Sequence, residues 1–388
     1  MHVAGGLYRE LCDFPTWDET FGSGGRAAAA ISRQSPGSTL HTYASGHGNT
    51  GVDALRALGV GVSITPSDVA VAFAYFHPLS RPHIEPRPSH IRQQKAMVVE
   101  GTAVLRFGFL EGDAVVQAKS AVYDPQTSLD PIPFGFNGSK ADSLALVLNE
   151  LELRTASGAD DLAEGAARLM RDQKAGVVIA KGGAKGALVF VRDQDPVSVP
   201  VYRSSRVFKI GTGDVFSAMF ALHWAEQGLP PHMAADLASR SVSAYCSAMQ
   251  LPLPEGATDS AVPLAVGVQG WVLLEGDGST IGRRFALEEA RFHLGGLGVE
   301  VHCPQLNALR PMPVTRPSAR LLVTDGMTQA QRSTALDGMG DGTPAVVLDE
   351  CHAFADVEVA HPGVVVVDDF VTALYFAAWA AVEPRAVD

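Results

Sequence analysis

Short apolar runs alternate with helix-like patterns along the first 250 residues of the chain. AVVQAKSAVYDPQ (114–126), GVVIAKGG (176–183) and GALVFVR (186–192) are β-rich runs bounded by Gly or Pro, so each predicts a strand. Between them, SKADSLALVLNELE (139–152) and DDLAEGAARLMRDQ (160–173) carry apolar residues three and four apart, which predicts amphipathic helices. This alternation predicts an α/β fold, with a mostly parallel sheet covered by helices and a ligand site beyond the carboxyl ends of the strands.

The pattern breaks after Met249. LPLPEGATDSAVPLAVG is rich in Pro, Gly and small residues, which predicts a linker over 251–268 between a first domain, 1–250, and a second, 269–388. The second domain has the size and pattern of a small α/β unit. Its predicted elements are the strand GWVLLEG, the helix RRFALEEARFHLGGLG and the strands VEVHCP, ARLLVTD, PAVVLDE and GVVVVDD.

Composition and charge narrow the class of protein. The 388 residues exceed the ~250–300 at which a single core stops growing, which also favours two domains. With 46% hydrophobic and 19% charged residues the chain is globular, and its net charge of -12 argues against a nucleic-acid partner. No run approaches 18 uncharged apolar residues, so no membrane partner is expected. The four cysteines lie far apart and are typical of reduced thiols, so we expect a cytoplasmic protein.

The tetrapeptide Gly211-Thr212-Gly213-Asp214 stands directly before the helix-patterned run VFSAMFALHWAEQG. Glycines permit a tight turn, and a helix N-terminus offers unpaired N–H groups and a positive dipole end to an anion. An acid at this place can accept a proton from a substrate hydroxyl while neighbouring amides stabilise a phosphoryl group. The alternative is structural, because Asp is a common residue in the first turn of a helix.

Residues 1–250 resemble the ribokinase-like (PfkB) family of carbohydrate kinases. GTGDVFSAMFA resembles the C-terminal signature of that family, which implies that Asp214 is the general base and that Gly211, Thr212 and Gly213 form the anion hole. VLNELELRT resembles its N-x-x-E motif, which implies that Asn149 and Glu152 organise phosphate and magnesium, with Glu152 as the metal ligand. The resemblance implies a ribokinase-like three-layer sandwich. It also implies an enzyme that uses ATP and Mg²⁺ to phosphorylate a sugar or nucleoside. Because members of the family often form dimers, a homodimer is a further expectation.

Two more stretches carry the resemblance. AKGGAKGALVF is similar to the family's turn on the ATP side, which implies that Lys181, Gly183 and Gly186 lie near the nucleotide. FGSGGRAAAAIS resembles the glycine-rich substrate segment, which implies that Gly24, Gly25 and Arg26 contact the substrate, and Glu10 stands near where many members have a substrate-binding Asp. The chain departs from the family at Ala27, where sugar kinases usually have an Asn, so the motifs leave the acceptor open.

Several of these residues also have plain structural interpretations. Asn149 and Glu152 end a helix-like pattern, where an Asn C-cap and a solvated Glu are ordinary. Lys181 and Lys185 flank a Gly pair and are equally typical of solvated turn lysines. The sequence pattern alone does not choose between these interpretations and the functional ones.

The second domain is similar to nucleoside 2-deoxyribosyltransferases over VLLEGDGSTIGRRFALEEARFHLGGLGVEVHCP, which implies a smaller flavodoxin-like or Rossmann-like domain. That family uses a Glu nucleophile shortly before a Gly-x-Pro stretch, and the corresponding position here is Thr334. Asp277, Gly278 and Ser279 also stand where aromatic residues are expected. We therefore predict a degenerate domain that binds a ligand or packs against a partner.

Two functions remain open on the sequence. The first is an ATP-dependent kinase of a sugar or nucleoside hydroxyl, with Asp214 as base. The second is a non-catalytic sensor or scaffold in which both domains bind sugar or nucleotide ligands without turnover, which Ala27 and the missing Glu at Thr334 suggest.

Overall fold

The computed structural model describes residues 1–44, 49–127, 129–264, 270–307, 311–352 and 363–382. The chain forms two compact units, Met1–Pro263 and Leu264–Asp388. The predicted linker, 251–268, spans the boundary between the units, and its residues 265–268 lie outside the described residues.

A nine-stranded sheet and a separate four-stranded sheet form the frame of the first unit. The strands are β1 His2–Ala4, β2 Arg9–Cys12, β3 Trp17–Thr20, β4 Thr39–Ala44, β5 Gly61–Pro66, β6 Ala72–Tyr75, β7 His83–Glu85, β8 Met97–Phe107, β9 Ala114–Asp124, β10 Lys140–Asn149, β11 Val177–Lys181, β12 Ala187–Val191 and β13 Val197–Val199. The large sheet has the order β13-β12-β11-β10-β9-β8-β1-β4-β5 and is parallel except at β12 and β13. The mostly parallel α/β sheet expected from the sequence is therefore confirmed.

Helices cover both faces of the large sheet. They are α1 Gly22–Ile31, α2 Thr50–Ala57, α3 Glu150–Ser157, α4 Leu162–Asp172, α5 Thr212–Ala221 and α6 Pro231–Ala248, with a π-helical turn at Leu222–Glu226 and short 3₁₀ turns at Pro88–His90, Phe134–Asn137 and Gly183–Lys185. Successive residues of one strand enter different cores, as strand geometry requires. Val177 and Ile179 belong to the core that contains α1, α2, α5 and α6, whereas Val178 and Ala180 belong to the core that contains α3 and α4.

The four-stranded sheet has the order β3-β2-β6-β7 and mixes parallel and antiparallel pairs. Its strand β2 carries Glu10, one of the residues predicted to contact a substrate. Tyr8, just before β2, donates a hydrogen bond to buried Glu111, with 2.5 Å between the oxygens. This bond ties the start of the small sheet to the loop between β8 and β9.

The second unit is a five-stranded parallel sheet with the order β15-β14-β16-β17-β18, which is the order of a flavodoxin-like fold. Its strands are β14 Trp271–Gly276, β15 Glu300–His302, β16 Ala319–Val323, β17 Ala345–Leu348 and β18 Val364–Val367, and its helices are α7 Ile281–Gly296, α8 Gln329–Asp337 and α9 Phe370–Val382, with a 3₁₀ turn at Gly338–Asp341. The five strands and the helix at α7 were all predicted from the sequence and are confirmed.

One sequence-based prediction is wrong. SKADSLALVLNELE is not a helix, because Lys140–Asn149 forms strand β10 and the helix α3 begins only at Glu150. Leu144 to Leu148 are all buried, since the strand lies between β9 and β11 and is covered on both faces. Such a strand shows a continuous apolar run rather than alternation, and that run also fits a helical pattern.

None of the helices in the described part of the chain is both long enough and apolar enough to cross a membrane.

Candidate active site

A left-handed glycine shapes the entrance to helix α5. Gly211 has φ +73° and precedes the first residue of the helix, Thr212, so Asp214 is the third residue of the helix. Thr212 donates its hydroxyl to the carbonyl of Lys209 (3.2 Å), which fixes the turn before the helix. The helix then buries Val215, Phe216 and the apolar residues that follow them. Helix α5 packs against strands β8 and β9 of the large sheet, with Asp214 in its first turn.

Arg26 of α1 is the centre of a buried group of charges. Its side chain is 0% exposed and lies between two carboxylates. Nη1 donates to Glu10 Oε1 (3.0 Å) and to Asp214 Oδ2 (3.0 Å), and Nη2 donates to the other oxygen of Glu10. Nε donates to the hydroxyl of Tyr245 (3.2 Å), which donates to the carbonyl of Ile210 (3.1 Å). The structure thus brings together three residues that the sequence placed near a substrate, although they are far apart in the chain.

Gly211 is in close contact with this guanidinium. A Cβ built on Gly211 would lie 2.1 Å from Arg26 Nε. The same arginine lies 5.4 Å from the ring of Phe21, and the tilted rings of Trp17 and Phe208 pack together with their centroids 4.7 Å apart. The guanidinium is therefore flanked by the backbone of Gly211 and the ring of Phe21 as well as by its polar partners.

Asp214 is held on both oxygens. Oδ2 accepts from Arg26, and Oδ1 accepts from Gln126 Nε2 (2.5 Å). Burial raises the pKa of Asp214 to about 6, with Arg26 opposing the rise and the charges of Glu10 and Asp124 adding to it. A carboxyl group with this pKa is ionised at neutral pH and readily accepts a proton.

A second group of charges lies beside the first. Asp124 ends strand β9, is 1% exposed, and accepts from Lys181 Nζ (2.6 Å) and from the hydroxyl of Ser217 (2.7 Å). Burial lowers the pKa of Lys181, but Asp124 and Glu152 outweigh it and the net shift is upward. Lys181 therefore remains cationic, and a Cβ on Gly213 would lie only 3.5 Å from its Nζ. The interpretation of Lys181 as a solvated turn residue is wrong, whereas Lys185 is exposed.

Asn149 and Glu152 form a capping box at the start of α3. Asn149 Oδ1 accepts from the Glu152 amide (2.8 Å), and Glu152 Oε2 accepts from the Asn149 amide (2.8 Å). Asn149 is therefore an N-cap and not a C-cap, and Glu152 is 5% exposed and not solvated. Burial and the nearby charge of Asp124 raise the pKa of Glu152.

The predicted glycines lie in two different settings. Gly183 and Gly186 bound the short turn between β11 and β12, and the carbonyl of Gly186 accepts from the amide of Gly182 (2.7 Å). Gly24 and Gly25 are buried in α1, and a Cβ on Gly24 would lie 2.5 Å from the backbone of Gly5. Gly24 thus lets α1 pack tightly against the end of β1, and Gly25 lets it pack against Leu7, so both glycines help to position Arg26.

The sequence patterns missed four residues that contact these groups: Asp124, Gln126, Ser217 and Tyr245. Asp124 and Gln126 belong to the run AVVQAKSAVYDPQ, whose Asp-Pro by itself predicts only the end of a strand. An acid at the carboxyl end of a central parallel strand is a usable signal, because ligands bind at that edge. Ser217 and Tyr245 lie within helices and give no comparable signal.

A cavity of about 470 Å³ lies within the second unit, between its sheet and helix α8. Thr334 lines this cavity together with Glu275 and Arg320. The hydroxyl of Thr334 donates to the carbonyl of Ala330 (3.0 Å), as an ordinary helical threonine does. No base among the described residues makes a hydrogen bond to this hydroxyl.

No known family model matches the chain, and no curated protein matches it. Several solved structures are similar to about two thirds of the chain. They include ribokinases, a fructokinase and a pyrophosphate-dependent inositol kinase. A ribokinase from Arabidopsis thaliana in complex with ribose and ATP is 14% identical, with a TM-score of 0.49 over 66% of this chain and 96% of that one.

Two further similar structures have comparable scores. A fructokinase from Vibrio cholerae with fructose, ADP and calcium is 15% identical, with a TM-score of 0.48 over 67% of this chain and 98% of that one. A variant of a pyrophosphate-dependent myo-inositol-1 kinase is 18% identical, with a TM-score of 0.45 over 67% of this chain and 97% of that one. A likeness of this size assigns neither an activity nor a substrate to the chain.

Proposed function

We propose that the first unit transfers a phosphoryl group from ATP to a hydroxyl of a sugar or nucleoside, with Asp214 as general base. The observation that carries this proposal is the placement of Asp214 in the first turn of α5, directly after the left-handed Gly211, with a pKa of about 6. This combination suits a residue that must take a proton from an alcohol near neutral pH.

The groups around Asp214 divide naturally between two substrates. The phosphoryl group would be stabilised during its transfer by the amides of Gly211, Thr212 and Gly213 and by the positive end of α5. The acceptor would enter beside Asp214 on the side of Glu10, Gly24, Gly25 and Arg26, and its hydroxyl would deliver its proton to the carboxylate. The nucleotide would lie toward Lys181, Gly183 and Gly186, where the half-buried ammonium of Lys181 would offset phosphate charge.

The residues on the nucleotide side also fit a magnesium ion. Mg²⁺ commonly uses one or two carboxylates and fills its other positions with water and phosphate oxygens. The buried carboxylate of Glu152 has a raised pKa, partly because of the charge of Asp124, which is the setting that a cation would relieve. Glu152 would hold the ion, with Asn149 fixing the side chain through the capping box. When bound, the ion would neutralise charge on the phosphates.

A second candidate function rests on the hydrogen bonds that already engage both buried carboxylates. Both oxygens of Asp214 already have hydrogen-bond partners within the protein, and both oxygens of Glu10 are bound to Arg26. An acceptor has to compete with these partners. A chain in which it never displaces them would bind sugars or nucleotides without turnover, as a sensor or scaffold does.

Turnover across a panel of acceptors separates the two functions. The protein is incubated with ATP or pyrophosphate and with single sugars, polyols and nucleosides, while nucleotide consumption and calorimetric binding are recorded in parallel. The kinase function predicts donor consumption that depends on one class of acceptor and yields its phosphate ester. Binding of an acceptor together with ATP and Mg²⁺, without any ester, would support the sensor instead.

A further inference from the structure

The carboxylate of Asp214 shares the guanidinium of Arg26 with a second buried carboxylate, that of Glu10. We infer that Arg26 is a positioning residue for Asp214: its guanidinium holds the carboxylate ionised and oriented, and Glu10 competes for the same guanidinium. This inference rests on the proposed role of Asp214 as base and assigns Arg26 and Glu10 a role toward that base rather than toward the acceptor.

The geometry shows the sharing directly. One nitrogen of Arg26, Nη1, lies 3.0 Å from Glu10 Oε1 and 3.0 Å from Asp214 Oδ2. Nη2 is committed to Glu10, so Glu10 binds the guanidinium through two atoms and Asp214 through one. The two acids are 16 and 188 residues from Arg26 in sequence and come from β2 and α5. The arginine therefore links the small sheet to the helix that carries the base.

Burial strengthens the charge interactions among Arg26, Glu10 and Asp214. Arg26 is 0% exposed, Glu10 5% and Asp214 8%, so water screens the three charges poorly. Two carboxylates and one guanidinium leave one negative charge in excess. The charge of Glu10 therefore disfavours ionisation of Asp214, and the guanidinium opposes this effect. Glu10 and Arg26 act on the pKa of Asp214 in opposite directions, Arg26 downward and Glu10 upward.

The remaining groups around Asp214 do not replace this pair. Gln126 orients Oδ1 without carrying a charge, and Tyr245 binds Arg26 Nε. Four other titratable groups interact with Asp214 or with its two partners. They are Asp124 of β9, Lys181 of β11, Tyr75 of β6 and Tyr245 of α6. Lys181 is bound to Asp124, which leaves Arg26 as the cation in direct contact with Asp214 among the described residues.

The side chain of Arg26 is also in close contact with its surroundings. Arg26 Nε approaches Gly211 so closely that a Cβ there would lie 2.1 Å away, and the ring of Phe21 lies 5.4 Å from the guanidinium carbon. A shorter or neutral side chain at position 26 leaves two buried carboxylates facing the same space. Removing one partner of a buried charge group is strongly destabilising, because the other partners remain desolvated.

The test is the carboxyl titration of Asp214, measured by NMR on the full chain with ¹³C in the aspartate carboxyl groups. The Asp214 signal is assigned by its loss in Asp214→Asn. In Glu10→Gln, which keeps size and frees Arg26 for Asp214, we expect the pKa of Asp214 to fall. In Arg26→Met we expect it to rise by about one to three pH units, the usual effect of a close opposite charge.

Two further variants make the test specific. Arg26→Lys keeps the charge without the forked geometry and should place the pKa between those of the wild type and Arg26→Met. Arg9→Met is the matched control, because Arg9 neighbours Glu10 on β2 but forms an exposed pair with Asp18. It should leave the titration of Asp214 unchanged.

A pKa that rises or stays constant in Glu10→Gln would overturn the inference, and this variant decides the question if Arg26→Met does not fold. A pKa that falls or stays constant in a folded Arg26→Met would overturn it as well. The titration needs no turnover, so it separates the two claims. Phosphoryl transfer that persists in Asp214→Asn would refute the proposed function, whereas an unshifted titration refutes only the role of Arg26 and Glu10.

Discussion

Replacing Gly211 by alanine tests the packing of the candidate site most severely. Two costs follow from the structure. Gly211 has φ +73°, and a residue with a side chain in this left-handed region costs roughly 1–2 kcal/mol. The added Cβ would also lie 2.1 Å from Arg26 Nε, so the guanidinium has to leave its place between Glu10 and Asp214.

The second cost is the larger one. Arginine is flexible in general, but this one is fully buried and hydrogen-bonded through Nε, Nη1 and Nη2, so any displacement breaks buried hydrogen bonds. Breaking a buried charge group costs about 3–5 kcal/mol. Together the two effects amount to about 4–7 kcal/mol, a large share of the ~5–15 kcal/mol by which a domain is usually stable.

Hydrogen exchange with mass spectrometry measures this loss within the first unit. In Gly211→Ala, amides of α5 and α6 should exchange about 10³-fold faster or more, since each 1.4 kcal/mol corresponds to roughly a factor of ten. The control is Gly213→Ala on the same turn. Its φ is not positive and its Cβ would make an ordinary contact, 3.5 Å from Lys181 Nζ, so exchange should change by less than about tenfold. Equal protection in the two variants would refute the account of Arg26 as a tightly enclosed group.

Three further outcomes are expected. Because burial raises the pKa of Asp214 to about 6, phosphoryl transfer should fall about tenfold per pH unit below that value, and a rate that is flat between pH 5 and 7 would contradict this. Glu152→Gln keeps the capping box but loses a charge, so it should raise the magnesium concentration needed for half-maximal rate, unlike Glu164→Gln on the exposed first turn of α4. The second unit should not cleave or exchange glycosidic bonds, because Thr334 offers no carboxylate nucleophile; base release from deoxynucleosides, followed by chromatography, would show the opposite.

Local sequence patterns predict much of the fold. Strands such as β11 and β12 are short β-rich runs ended by glycine, and their local chemistry is enough to predict them. Strand β10 is different, because its neighbours on both sides and the helices on both faces bury its positions 144 to 148, which are all apolar. The small sheet was not predicted either. Its strands are three or four residues long, too short to show a period.

The candidate site also has one part that the sequence predicts and one part that it does not. The turn before Asp214 and the capping box at Asn149 are contiguous in sequence, so their residues were found as motifs. The sharing of Arg26 between Glu10 and Asp214 is not visible in any window of sequence, because it joins residues 16 and 188 positions apart. Only the packing of α1 against α5 and the small sheet creates it.

The central claim is that Asp214 takes the proton from the acceptor hydroxyl. The most direct measurement is the single-turnover rate of phosphoryl transfer in Asp214→Asn, with nucleotide affinity recorded for the same preparation and Asp160→Asn, an exposed substitution in the same unit, as control. The account predicts a loss of about 10²–10⁴ in rate, with nucleotide binding and the control unchanged. Transfer at the wild-type rate in Asp214→Asn would contradict it.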